Sequence, residues 1–448
     1  MEKLSFQKTV VVASMLFGMF FGAGNLIFPV SMGQLAGAHI WQAAAGFLIT
    51  GVGLPLMGVA ALGISKEKGL LGLSSRVSKG YGLFFTCLLY LTIGPFFAIP
   101  RCATVSYTVG IEQLFPAGNA RLLLAVFSLL FFALVLFFSL RPGQILTWIG
   151  KVLNPLFLLF LAVLVLRALT APLGQISAVA PQDAYASSAF TTGFLEGYNT
   201  MDALAGLAFG IIVVDVIRSL GVKEPGAVAR NTVRAGVFSS LLMAVIYVLV
   251  TVVGTQSRGL FDAASNGGEA LSMIAQHYFG TAGAFILAAT VTVACLKTAV
   301  GLITSCSETF VSLFPKGPAY RVWAIGFCVI SFLIANLGLD AIIAYSLPVL
   351  MFLYPLSIVL ILLTLFGRFF DNDRYVLRFT IGFTALVAVL DFFRALPEET
   401  QTALHLTGLV DRLTTLLPLA GSGFGWILPS IIGLVIGLVV RQVRLRSA

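Results

Sequence analysis

Two polar stretches stand inside apolar runs, and both carry groups suited to binding rather than to bond-making. In Gly22-Ala23-Gly24-Asn25-Leu26-Ile27-Phe28-Pro29, two glycines flank one alanine and are followed by an asparagine and, four positions on, a proline. Backbone freedom, a side-chain cap and a missing N–H are thus supplied together, so a helix entering this stretch should break. With Asn25 capping a second half-helix from Leu26, Pro29 leaves the Asn25 carbonyl free beside those that end the first half. In hydrocarbon, exposed carbonyls and amides persist only where they line a cavity or meet protein, water or a ligand. The plainer reading is a kink packed by neighbouring helices. The second stretch is Glu196-Gly197-Tyr198-Asn199-Thr200-Met201-Asp202-Ala203, which places two carboxylates and three other hydrogen-bonding side chains within an apolar run. A buried carboxylate there is a functional candidate by default. Glu196 also reads as a solvated residue at the outer interface, whereas Asp202 lies too deep for that.

The elements that must position these groups follow from composition. The chain has 448 residues, 59% apolar and 10% charged, with a mean hydropathy of +1.02. Apolar runs of the roughly 20 residues that cross a bilayer as helix recur from Gln7 to Val440. The expected fold is an all-α polytopic membrane protein with twelve transmembrane helices, near 7–35, 38–63, 81–110, 121–140, 146–169, 187–217, 229–255, 279–311, 320–338, 341–366, 375–396 and 424–441. The first run outlasts a signal-peptide core and is read as an uncleaved span. Between Pro397 and Gly423, Leu404, Leu406, Leu409, Val410 and Leu413 alternate with Glu398, Asp411 and Arg412, a pattern that suits an interfacial segment.

With a cytoplasmic N-terminus, 20 of the 27 basic residues fall on the cytoplasmic side. Six (Arg101, Arg121, Arg167, Arg258, Arg394, Arg412) fall on the outer side, and Lys297 falls inside a span. By the positive-inside rule both termini are expected in the cytoplasm. The net charge of +9 then reflects topology and implies no nucleic-acid partner. The five cysteines lack CxxC spacing, the three histidines form no metalloprotease motif, and no phosphate loop or nucleophile elbow is present. A membrane enzyme is therefore a poor match. A channel is another alternative, but it needs polar residues along whole helix faces, and here they cluster at two breaks.

Those breaks fall in the first and sixth spans, the sequence pointer to inverted repeats with a site at the bilayer midplane. Residues 1–170 then form one five-helix repeat, 187–366 a second of opposite topology, and 367–448 two added helices with the C-terminus. Each repeat holds an odd number of spans, so opposite topology is required.

At this point the residues resemble a known family. Phe21-Gly22-Ala23-Gly24-Asn25-Leu26-Ile27-Phe28-Pro29, Gly94-Pro95-Phe96-Phe97-Ala98-Ile99-Pro100-Arg101 and Gly197-Tyr198-Asn199-Thr200-Met201-Asp202-Ala203-Leu204-Ala205 are similar to hallmarks of the bacterial branched-chain amino acid:cation symporters, the BrnQ family. The resemblance runs through the whole chain and implies a LeuT-type fold. It also implies import of leucine, isoleucine or valine with Na+ or H+ across the cytoplasmic (inner) membrane of a bacterium, without a cofactor other than a possible bound Na+. Transport of another small apolar amino acid without ion coupling is the nearest alternative.

A zwitterionic substrate needs donors for its carboxylate and acceptors for its ammonium in a dry site. The amides of Ala23, Gly24 and Asn25, at the positive start of a half-helix, suit the carboxylate. Carbonyls near Phe20 and Phe21 suit the ammonium or a cation, and Gly197, Tyr198 and Asn199 add acceptors. Phe96, Phe97 and Met201 are candidate apolar walls. Arg101 is expected to pair with Glu112 or Glu196, or to reach the surface, and is not assigned to substrate.

In carriers of this fold the resemblance places a coupling Na+ between the break of span one, at Phe21, and hydroxyls of span eight, where Thr298 matches. Its neighbour Lys297 departs from the pattern, standing where a hydroxyl or apolar residue is expected. An ammonium beside a sodium site repels the ion, so Lys297 either substitutes for it, bonding the break and Asp202 with coupling to protons or to no ion, or reaches the cytoplasmic interface or Glu308. In the second case Thr298, Thr304 or Ser305 serves sodium.

Overall fold

The computed structural model describes residues 4–22, 24–65, 67–112, 119–141, 144–222, 224–405 and 407–447, and every regular element among them is helical. Eight of these helices are long and apolar enough to cross a membrane, or nine when Tyr185–Thr200 and Asp202–Ser219, bent by 44°, count as one span. Three shorter apolar helices, Phe6–Phe20, Leu158–Thr170 and Tyr320–Ala335, accompany them. Local chemistry sets the starts. Ser5 accepts from the Lys8 amide at the head of Phe6–Phe20, Asn266 accepts from the Gly268 and Glu269 amides, and Glu224 caps a helix whose first residue is Pro225.

Helix Phe6–Phe20 stops where the Phe21 amide donates back to the Phe17 carbonyl at 2.8 Å, and the chain turns helical again at Gly24. This corrects the expected cap: the second half begins at Gly24, not Leu26, and Asn25 lies in its first turn with Oδ1 reaching backward to accept the Gly22 N–H at 2.8 Å. The side chain satisfies an amide that the break itself exposes. Ala23 lies outside the described residues. In span six a 3-10 turn, Gly197–Thr200, leads into Met201 at φ +60°, and helix Asp202–Ser219 follows. The third span carries two π-turns, Thr92–Phe96 and Tyr107–Ile111, with Gly94 non-helical. Gly280, at φ +61°, divides Gly267–Leu313, so a separate helix precedes the expected eighth span.

The first interrupted helix packs along Pro225–Ser257, and the second span, Ile40–Ser65, packs along the sixth. Both pairings include reciprocal backbone contacts. A Cβ on Gly33 would stand 2.1 Å from the Thr251 carbonyl oxygen, and one on Gly254 would stand 2.3 Å from that of Val30. A Cβ on Gly46 would stand 2.0 Å from the Phe190 oxygen, and one on Gly193 would stand 2.0 Å from that of Ala43. No side chain fits in any of the four places, and close packing of helices in lipid depends on such absences.

Candidate functional site

The two breaks meet. Across them, Asn25 Nδ2 donates to Asp202 Oδ2 at 2.5 Å. The Tyr247 hydroxyl donates to the same oxygen at 2.9 Å and in turn accepts from Asn25 Nδ2. All three side chains are buried. Asp202 stands at the first position of its half-helix because Met201 turns left-handed just before it, and the amide of Asp202 donates to Thr200 Oγ1 at 3.3 Å. The carboxylate therefore sits at the positive end of a helix dipole with two donors on one oxygen, an arrangement that offsets part of the cost of burying it. Oδ1 lies outside this triangle.

Opposite stands Arg101, also buried. The expected partners Glu112 and Glu196 are not its partners, and it does not reach the surface. Its Nη1 donates to the Asn199 carbonyl at 2.8 Å, the end of the 3-10 turn in span six, and its guanidinium lies 5.0 Å from the centre of the Phe28 ring. Nη2 comes so near the first interruption that a Cβ on Gly24 would stand 3.1 Å away. Glycine there admits the guanidinium.

Between Arg101 and Asp202 is a cavity of about 60 Å3. Phe20, Gly22, Gly24, Asn25 and Met201 line it, with Thr298 and Leu302 from span eight and Ile93, Ala98 and Cys102 from span three. Other expected residues lie elsewhere. Phe96 and Phe97 do not line it, because the π-turn at Thr92–Phe96 inserts an extra residue and brings Ile93 and Ala98 onto one face. Tyr198 is fully buried and stacked on Tyr354 with ring centres 3.9 Å apart. Gly197 faces Thr50, whose Oγ1 would stand 1.9 Å from a Cβ there, and Asn199 reaches the cavity only through its carbonyl on Arg101. Phe21 stacks on Phe17 at 4.8 Å.

Thr298 turns its methyl toward Gly22 and donates Oγ1 to the Ala294 carbonyl at 3.1 Å. Lys297 is half-buried and does not line the cavity. Among the described residues, none of the hydrogen bonds or ion pairs links it to Asp202, the break or Glu308. Tyr247 had no signal in the sequence, being one tyrosine in an ordinary apolar span. Arg101 had one, its place after Pro95 and Pro100 as the one charged residue between Lys79 and Glu112.

A profile of the branched-chain amino acid transport protein family matches residues 5–444. The chain belongs to that family. A branched-chain amino acid permease BrnQ of Lactobacillus delbrueckii subsp. lactis is 55% identical over 429 residues, 96% of this chain and 95% of its own. The Bacillus subtilis permease BrnQ is 39% identical over 448 residues, covering both chains completely. The branched-chain amino acid transport system 2 carrier protein of Pseudomonas aeruginosa is 40% identical over 426 residues, 95% and 94% of the two chains. These relatives are permeases and carriers, so the protein is a multi-pass membrane transporter and not an enzyme. Two solved structures share the fold. Mhp1, a nucleobase-cation-symport-1 family transporter in a closed conformation with bromovinylhydantoin bound, matches at TM-score 0.60 with 14% identity over 97% of this chain and 92% of its own. MhsT in complex with L-phenylalanine matches at 0.56 with 15% identity over 97% and 98%. The fold is thus of the LeuT type.

Proposed function

We propose that this member of the branched-chain amino acid transport family imports leucine, isoleucine and valine across the bacterial cytoplasmic membrane by symport with Na+ or H+, alternating access around the cavity at the two breaks. The observation that carries the reading is one cavity walled by a buried guanidinium, Arg101, and a buried carboxylate, Asp202. A zwitterion presents the complementary pair. Its carboxylate is taken by Arg101 and the positive end of helix Gly24–Ala36, and its ammonium by Asp202 and the carbonyls that end helix Phe6–Phe20. Met19, Phe20, Ile93, Met201, Phe209 and Leu302 supply apolar walls for a side chain bearing only methyl groups. One methylene is worth only about 1–3 kcal/mol in such a pocket, so all three amino acids are accepted. At about 60 Å3 the cavity is smaller than any of them, and binding must therefore widen it.

Thr298 Oγ1 with the carbonyls of Phe20 and Phe21 is the sodium set in this reading; Asp202 is the proton carrier in the other. The architecture we infer is twelve spans, as two inverted five-helix repeats in residues 1–170 and 187–366 with two further helices in 367–448. Support comes from the packing of span one on span seven and span two on span six, which exchange when the repeats are interchanged. The bias of basic residues supports cytoplasmic termini.

Uptake of labelled leucine into proteoliposomes, measured with separate sodium and pH gradients, tests the proposal. Accumulation driven by either gradient and competed by isoleucine and valine is expected. Ion current without leucine uptake would overturn it.

A further inference from the structure

A second, larger cavity of about 350 Å3 lies among helices Tyr185–Glu196, Leu339–Leu365 and Arg374–Arg394 and the turn at Gly421–Gly423. Its polar lining is rich in acceptors. Asp391 is 2% exposed and Asn199 6% exposed, and Asp391 Oδ2 and Asn199 Oδ1 have no hydrogen-bond partner. Glu196, half-buried, adds a second carboxylate and takes a side-chain hydrogen bond from Asn199. Arg394 also lines the cavity and its charge acts on Asp391, but its hydrogen bonds go to backbone: Nη1 donates to the Ala420 carbonyl and Nη2 to that of Gly421 at 3.2 Å. Among the described residues no ion pair joins it to Asp391. Buried acceptors left without donors are costly, and two of them on residues that wall a roomy cavity beside a second carboxylate fit a ligand that brings positive charge.

We propose that this cavity is a second binding site, separate from the one between Arg101 and Asp202, for a compact cation: a monovalent metal ion or the ammonium of a second amino acid. Asp391 Oδ2, Asn199 Oδ1 and Glu196 are its ligands. Asn199 also ties the two sites together. Asn199 lines the second cavity, whereas its carbonyl oxygen holds Arg101 Nη1 at 2.8 Å. A cation that fixes Asn199 therefore fixes the position of the central guanidinium, and occupancy of the outer site raises affinity at the inner one.

The proposal rests on the amino-acid reading of the central cavity only for its choice of leucine as probe. The test is equilibrium binding of labelled leucine and of radioactive sodium, counted per polypeptide, by the purified full-length protein and its Asp391→Asn, Glu196→Gln and Asp202→Asn variants. If the ligand is the ion, Asp391→Asn lowers sodium affinity by roughly tenfold or more and weakens leucine binding with it. If the ligand is a second amino acid, Asp391→Asn loses one leucine per chain, and the leucine that remains is the one lost in Asp202→Asn. Glu196→Gln gives the same change in smaller degree and carries the test should Asp391→Asn fail to fold. Wild-type sodium affinity and leucine stoichiometry in both Asp391→Asn and Glu196→Gln overturn the second site. Failure of the unmodified protein to bind leucine would instead overturn the reading of the central cavity, with the sodium arm still deciding this one.

Discussion

Asn25 and Asp202, 177 positions apart in the chain, share a 2.5 Å hydrogen bond that joins the two interrupted helices. The same carboxamide accepts the Gly22 amide through Oδ1, so one side chain both closes the first break and holds the carboxylate of the second. Asn25→Asp keeps the acceptor for Gly22 and replaces the donor with a charge facing Asp202. A hydrogen bond to a charged group is worth about 1.5–3 kcal/mol, so leucine uptake is expected to fall by roughly tenfold to a hundredfold or more. Near-normal uptake at equal expression would mean that the pair is dispensable.

Arg101 makes two uses of one planar fork, Nη1 on the Asn199 carbonyl and Nη2 beside Gly24. A lysine has the charge but not the fork. Arg101→Lys is expected to raise the KM for leucine by roughly tenfold or more, by loss of one charge-assisted bond. Gly24→Val should act on the same group from the other side, by pushing the guanidinium away, and should abolish uptake while the protein still inserts. Kinetics of uptake for both variants check this, and an unchanged KM in Arg101→Lys would contradict it.

Met201 is a non-glycine residue held at φ +60°. The left-handed region costs an L-residue about 1–2 kcal/mol that glycine does not incur. Both Met201→Ala and Met201→Gly lose the same buried side chain apart from one methyl group, yet Met201→Gly is expected to have the higher Tm. Thermal unfolding in detergent decides it; the reverse order would mean that the turn is relaxed before Asp202.

Lys297 is half-buried and apart from the cavity, whereas its neighbour Thr298 faces the first break. Lys297→Thr is therefore expected to leave the ion dependence of uptake as it is in the wild type, whichever ion that proves to be. Thr298→Val, which deletes a possible oxygen ligand while keeping the shape, should weaken a sodium dependence. A sodium requirement that appears only in Lys297→Thr would restore the lysine as a surrogate cation.

How far such a site can be read in advance depends on what marks it. The interruption at Gly22–Asn25 and the buried Asp202 are visible because glycine, proline and carboxylates are conspicuous in an apolar helix. Facing is harder. An unbroken α-helix puts positions 93, 97 and 101 on one side, which recommends Phe97 as a wall; the π-turn at Thr92–Phe96 shifts that count by one and presents Ala98 instead. No local pattern announces that turn. Hydropathy places Arg101 with the basic residues of the outer side because it cannot distinguish an arginine near a helix end from one folded inward over Phe28. Tyr247 is silent for a similar reason: an aromatic residue in a membrane helix is ordinary until its hydroxyl finds a carboxylate.

The close backbone contacts of Gly33 with Thr251 and of Gly254 with Val30, and those of Gly46 with Phe190 and of Gly193 with Ala43, weld spans one and seven, and spans two and six, at four points. In the proposed cycle such a weld divides the molecule into parts that travel and parts that stay. Asn25, Asp202 and Tyr247 all ride on the welded part, so their three bonds pass from one face of the membrane to the other without being cut. Arg101 belongs to span three, and its bond to the Asn199 carbonyl crosses the seam. Opening the seam breaks that link and spares the three bonds among Asn25, Asp202 and Tyr247: the acidic half of the site is a passenger, and the basic half is the latch it leaves behind.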